Sequence, residues 1–183
     1  MRRRLRERYS EDQLRSIYAT PHQHGKWFDH KVRVQTTIAL ARSLDFKGSA
    51  ADLSAGDAAI INALDTERKY IGDYAPGYEF TGPIEQTIHQ IPNVQLFICS
   101  ETIEHLDNPD AVLAEIRKKA EWIVVTTPLG ENDTRNPEHY WGWDGEGVES
   151  MLVHAGWDPF MVNLLYFKDK ENYDYDYQMW VCR

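Results

Sequence analysis

The stretch from Phe97 to Pro109 constrains this chain more than any other. Phe97-Ile98-Cys99 is an apolar run of strand type, and it breaks abruptly into Ser100-Glu101-Thr102-Ile103-Glu104-His105. Asp107 or Asn108 can cap a new helix with Pro109 at its first position. That helix is expected from about Pro109 to Lys119, burying Val112, Leu113 and Ile116 at helical spacing. A buried strand whose C-terminal end carries clustered polar groups is where open α/β sheets bind ligands. Glu101, Glu104 and His105 stand at i, i+3 and i+4, so a helical turn after the strand would place all three on one face.

The remaining elements alternate. Strands are expected at Ser49–Ser54, Lys69–Asp73, Tyr78–Gly82 (weaker), Val94–Cys99 and Trp122–Thr126, the last stopped by Pro128. Helices fit about Ala58–Thr66, Glu85–His89 and Gly145–His154, with Gly156 as a C′ glycine. Phe160–Phe167 and Tyr177–Val181, joined by the polar connection Lys168–Asp176, read as an antiparallel hairpin. At the N-terminus, Arg2–Tyr18 reads as a helix that restarts at a Ser10 capping box. Thr20–Phe28 reads as a loop, and Asp29 as the cap of a helix running to Leu44. The pattern implies an α/β fold: a doubly wound, mostly parallel, Rossmann-like seven-stranded sheet ending in an antiparallel hairpin under an N-terminal helical cap. Residues 1–183 form one domain, with 1–45 as cap and 46–183 as core.

Composition sets the partners. The chain has 183 residues, 42% of them hydrophobic, and a formal charge of −9 at a pI near 5.2. The segment Met1–Arg8 holds five Arg against one Glu, so an acidic body of −13 follows a basic arm. The arm could touch nucleic acid or be a solvated helix end. The acidic body disfavours a broad phosphate-binding surface. Cys99 and Cys182 do not make a disulfide framework, no secretory apolar segment opens the chain, and no run reaches bilayer length. A cytoplasmic protein is expected, with no membrane partner. The sequence sets no oligomeric state.

Asp52-Leu53-Ser54-Ala55-Gly56-Asp57-Ala58 lies between a strand and a helix, where small residues let backbone approach a ligand. Asp73, about twenty residues on, ends the next strand, where a carboxylate can hold a ribose diol. The stretch alone also suits an ordinary tight turn. A dinucleotide-binding domain would want three glycines, and only Gly56 is present. The set resembles the class I S-adenosylmethionine-dependent methyltransferases, with Ser54 and Ala58 departing from glycine. The resemblance covers about Tyr18–Arg183. It implies that Asp52, Ser54 and Gly56 form the first cofactor-binding motif, Gly56 facing the methionine part. It further implies that Asp73 holds the ribose and that Ser100 and Glu101 flank the methionine part. The acidic residue such enzymes carry after strand three is missing from Thr81-Gly82-Pro83-Ile84, which leaves backbone near Ile84 to face the adenine.

Glu-x-x-Glu-His with a distant His also resembles two metal-dependent groups of that family, the small-RNA 2′-O-methyltransferases and the ubiquinone-pathway O-methyltransferases. The matching ligands are Glu101, Glu104, His105 and His139, the last in the loop Leu129–Trp143. Two carboxylates and two imidazoles suit manganese, iron, cobalt or zinc as well as magnesium or better. The expectation is methyl transfer to a hydroxyl oxygen of a small-molecule or nucleotide/sugar-like acceptor, with His105 and His139 catalytic and a divalent metal as assistant. The alternatives are a metal-free N- or C-methyltransferase, a non-catalytic cofactor-binding module, and a dinucleotide-dependent oxidoreductase.

Overall fold

A computed structural model describes residues 1–20, 27–133, 135–168 and 173–183. His22 and His24, expected in the cap, and part of the hairpin connection lie outside the described residues. The elements are β1 (Arg2–Arg4), α1 (Glu11–Ile17), α2 (Phe28–Arg42), β2 (Ser49–Asp52), α3 (Ala59–Asn62), β3 (Arg68–Asp73), β4 (Phe80–Thr81) and α4 (Ile84–Thr87). There follow β5 (Val94–Ser100), a 3-10 turn (Ile103–His105), α5 (Pro109–Lys119), β6 (Ala120–Leu129), β7 (Trp141–Trp143), α6 (Gly145–His154), β8 (Pro159–Leu165) and β9 (Asp176–Cys182).

A seven-stranded sheet has the order β4-β3-β2-β5-β6-β9-β8. The first five strands are parallel, and β9 runs antiparallel to both β6 and β8. Side chains alternate between two cores because a strand has a period of two. Phe97 and Cys99 of β5, Ile123 and Val125 of β6, and Trp180 of β9 pack under α4, α5 and α6. Leu96, Ile98, Val124, Met179 and Val181 face α2 and α3 on the other side. Each such fully buried aliphatic side chain contributes about 1.5–3 kcal/mol.

Local chemistry explains most boundaries. The Asn108 side chain accepts the Ala111 amide and Pro109 opens α5, while Asp144 caps α6. Ser10 and Gln13 close a reciprocal capping box on α1. Four expectations are corrected. The segment after Met1 is not one helix: β1 pairs antiparallel with β7, Arg3 opposite Gly142. Arg2 and Arg4 turn inward, 3.9 Å and 4.6 Å above the Trp141 ring, while Arg3 between them is exposed. Arg2 also pairs with Asp110 and Arg4 with Asp107, so this arm is a strap on the domain. Asp29 does not cap α2: Trp27 holds that position without a side-chain bond, and the buried Asp29 accepts from the Tyr177 hydroxyl at 3.0 Å. Pro128 does not stop β6, which continues to Leu129 beside β9. The helices at Ala58 and Glu85 are single short turns, Ala59–Asn62 and Ile84–Thr87.

Among the described residues, no helix is long and apolar enough to cross a membrane.

Candidate active site

Strand order reverses between β2 and β5, whose C-terminal ends therefore lie side by side, Asp52 opposite Ile98. That is where doubly wound sheets open a crevice. Beyond the strand ends the Ser54 and Thr102 hydroxyls meet at 2.6 Å. The turn after β2 needs left-handed backbone at Gly56 (φ 56°) and at Ala58 (φ 58°), which only Gly adopts without cost. The Gly56 amide donates to Asp73 Oδ2 and the Ala75 amide to Asp73 Oδ1, both at 2.8 Å. Each carboxylate oxygen keeps further accepting capacity for a ligand hydroxyl. Asp52 is buried, its Oδ1 accepting the Ser54 amide at 3.2 Å, and burial pushes its carboxyl up to about 8.

A cleft partly open to solvent lies over these strand ends. Ser54, Gly56, Asp73, Ile84, Glu101 and His105 are on its wall, and Leu14 and Tyr18 close one side. Asp52 and Ser100 are not on that wall. The Ser100 hydroxyl instead takes a hydrogen bond from the buried Arg33 at 2.6 Å and meets Thr126 Oγ1 at 2.9 Å. Thr126 in turn donates to Glu101 Oε1 at 2.8 Å. Glu101 has a left-handed backbone (φ 51°), a conformation that costs a non-glycine residue about 1–2 kcal/mol. Burial raises its carboxyl, and Arg33 opposes that.

The 3-10 turn after β5 separates Glu101 from its expected companions. Glu104, His105 and His139 offer ligand atoms that all lie within 4.8 Å of one another, and Glu101 is outside this group. Glu104 is fully buried. Its Oε2 accepts from Thr127, its Oε1 has no hydrogen-bond partner among the described residues, and burial lifts its carboxyl well above the usual range, helped by Glu101. His105 Nε2 lies 3.9 Å from that Oε1. The other nitrogen of His105 is 3.1 Å from the Glu138 carbonyl, which can only accept, so Nδ1 carries the proton. The Tyr18 hydroxyl touches the same nitrogen at 3.2 Å. His139 is held by Glu131, Nδ1 to Oε2 at 2.6 Å, and its ring lies 4.8 Å from that of His105. Burial pushes the Glu131 carboxyl up and the His139 imidazole down, so each is shifted away from its charged form. Glu104 and His139 are buried and off the cleft wall. His105 alone of the three reaches it.

No family model matches the sequence, and no curated protein does. Solved structures do. The 1,6-didemethyltoxoflavin-N1-methyltransferase of Burkholderia thailandensis, with S-adenosylhomocysteine and 1,6-didemethyltoxoflavin bound, aligns with TM-score 0.66 at 13% identity, over 94% of this chain and 85% of that one. The magnesium protoporphyrin IX methyltransferase of Synechocystis, with S-adenosylhomocysteine bound, gives 0.63 at 12%, over 93% and 92%. The fold is that of the class I methyltransferases. A SAM-dependent methyltransferase of Archaeoglobus fulgidus adds a third such likeness, TM-score 0.62 at 14% identity, over 82% of this chain and 94% of that one. In this chain β9 of the terminal hairpin runs antiparallel to both β6 and β8.

Sequence reasoning missed Arg33, Glu131 and Glu85. Arg33 is a charged residue on the buried side of α2, among Val34, Thr37 and Ile38, and Glu131 is one polar residue in a polar loop. Glu85, an exposed carboxylate one residue past Ile84, is on the cleft wall.

Proposed function

We propose that this protein is an S-adenosylmethionine-dependent methyltransferase acting on a hydroxyl oxygen of a small or nucleotide/sugar-like acceptor, assisted by a divalent metal. The cleft supports the first part. Asp73 would hold the ribose hydroxyls, Gly56 would let backbone approach the methionine part, and Glu101 would lie beside it. Ile84 and Glu85 would line the adenine end. The cofactor supplies an electrophilic methyl group on a sulfonium.

One observation carries the metal: an acceptor atom of Glu104 without a hydrogen bond faces an imidazole whose proton is engaged on its far side. Metal-ligating histidines characteristically donate their other N–H to a carboxylate or carbonyl, and His105 does so with Glu138 while His139 pairs with Glu131. Glu104, His105 and His139 would hold the ion, a donor set suited to manganese, iron, cobalt or zinc. The ion would act as a Lewis acid that lowers the acceptor's hydroxyl pKa. Tyr18 and Leu14 would exclude water over the transfer. Calorimetry tests both parts: saturable binding of S-adenosylhomocysteine supports the cofactor site, and saturable binding of Zn²⁺ to the exhaustively chelated protein, lost in Glu104→Gln, supports the metal.

A metal-free N- or C-methyltransferase is the second reading. The observation favouring it is that the cleft reaches His105 but neither Glu104 nor His139. His105 would then be the general base, taking the acceptor's proton as the methyl moves.

A further inference from the structure

Glu131 is an unusual residue to find buried. It lies just past the end of β6, at 6% exposure, and its Oε2 is 2.6 Å from His139 Nδ1. Gly142 of β7 passes directly over it: a Cβ on Gly142 would come within 2.0 Å of the Glu131 carbonyl oxygen. The neighbouring Gly130 amide is fixed by the Trp143 carbonyl at 2.7 Å. Glu131 is thus clamped by backbone on one side and bonded to a ring nitrogen on the other.

Which ring nitrogen carries the proton follows from the far side of the ring. The Glu138 amide donates to Asn136 Oδ1 at 2.9 Å, which fixes the orientation of that side-chain amide. Asn136 Nδ2 therefore faces His139 Nε2, at 2.9 Å, as a donor. A nitrogen that accepts a hydrogen bond carries no proton, so the proton of the neutral ring is on Nδ1, directed at Glu131.

From these contacts we infer that Glu131 is a positioning residue that holds His139 in the Nδ1–H tautomer, so that the Nε2 lone pair is available to a metal ion or an acceptor proton. The inference rests on the proposed function for what uses that lone pair, and on the hydrogen bonds alone for the tautomer. Asn136 is the occupant such an ion would displace: its amide takes the place at Nε2 and would swing aside on loading. Without Glu131, Nδ1 loses its acceptor, and the Nε2–H tautomer becomes accessible once Asn136 rotates.

The test is long-range ¹H–¹⁵N correlation on ¹⁵N-histidine-labelled protein near neutral pH, with His139 assigned by its loss in His139→Gln. Wild type should show a protonated Nδ1 and a bare Nε2. Glu131→Ala should move the proton, wholly or in part, to Nε2, and should weaken Zn²⁺ binding by about 10–100-fold, the usual effect of removing such an outer partner. Glu131→Gln, which retains an accepting oxygen, should restore the Nδ1–H signal. Asn136→Ala should keep the wild-type tautomer and bind Zn²⁺ at least as tightly. A protonated Nε2 in wild type overturns the inference, and this arm needs no variant to fold. An unchanged tautomer in Glu131→Ala overturns it equally. If the tautomer responds as expected but wild type binds no Zn²⁺, the role of Glu131 stands and the metal reading is what fails.

Discussion

The Gly56 amide donates to the Asp73 carboxylate across 2.8 Å, tying the first βα turn to the end of the neighbouring strand. The bond shapes the floor of the cleft before any ligand arrives. It makes the turn and the carboxylate one unit, so damage to either should be felt as lost cofactor affinity.

Gly56→Val is expected to abolish calorimetric binding of S-adenosylhomocysteine. A branched side chain at φ 56° is strained and fills the approach to the cleft. The strain should cost about 1–2 kcal/mol of stability, leaving a folded protein in which the loss can be measured. Undiminished binding would remove this turn from the cofactor site.

Asp52 sets a pH dependence of stability. Its folded pKa is raised by burial from 3.8 to about 8. Between those values the folded state holds a proton that the unfolded state has released, so stability falls as pH rises through that window and levels off above it. The wild-type protein without ligand should melt at a higher temperature at pH 5.5 than at pH 8. Asp52→Asn should flatten that slope. It should not erase it, because Glu101 and Glu104 are raised in the same direction. Equal slopes in the two proteins would show that Asp52 is ionised in the fold.

Arg33→Met should destabilise the protein by about 3–5 kcal/mol in urea unfolding, because removing one member of a buried charged network leaves the others uncompensated. The arginine is fully buried against Ser100, and its charge offsets the buried Glu101 carboxyl. A change below about 1 kcal/mol would mean that Glu101 is neutral in the fold and needs no counter-charge.

His139→Gln tests the loop ligand. The substitution should lower Zn²⁺ affinity at least tenfold, the lower end of what even an outer partner is worth. It should also cost about 1–3 kcal/mol of stability, since Glu131 loses its buried partner. Unchanged Zn²⁺ affinity with that stability loss would assign His139 to packing alone.

What could be read in the sequence was whatever local chemistry decides. Asn108-Pro109 fixed the start of α5, Ser10 with Gln13 fixed α1, and the apolar run through Cys99 fixed the strand on which the cleft is built. The doubly wound order followed from alternation of elements. Features that depend on distant partners were not legible. Arg2–Arg4 looks helical and becomes a strand only because Trp141–Trp143 offers it an edge and a ring to stack on. Pro128 reads as a stop, yet β9 carries β6 past it, and Gln178 donates to its carbonyl at 3.2 Å. The i, i+3, i+4 spacing suggested one shared face. The turn is a tight 3-10 helix beginning after Glu101, whose left-handed backbone sends its side chain to Thr126, so only Glu104 and His105 meet His139.

Glu104, His105 and His139 are proposed to hold a metal beside a bound S-adenosyl cofactor. The most direct test is a crystal grown with S-adenosylhomocysteine and Mn²⁺, with anomalous data collected at the manganese edge. One anomalous peak is expected among those three side chains, with the homocysteine sulfur facing it and the ribose hydroxyls on Asp73. Cofactor in the cleft with no anomalous peak between Glu104 and the two histidines would contradict it.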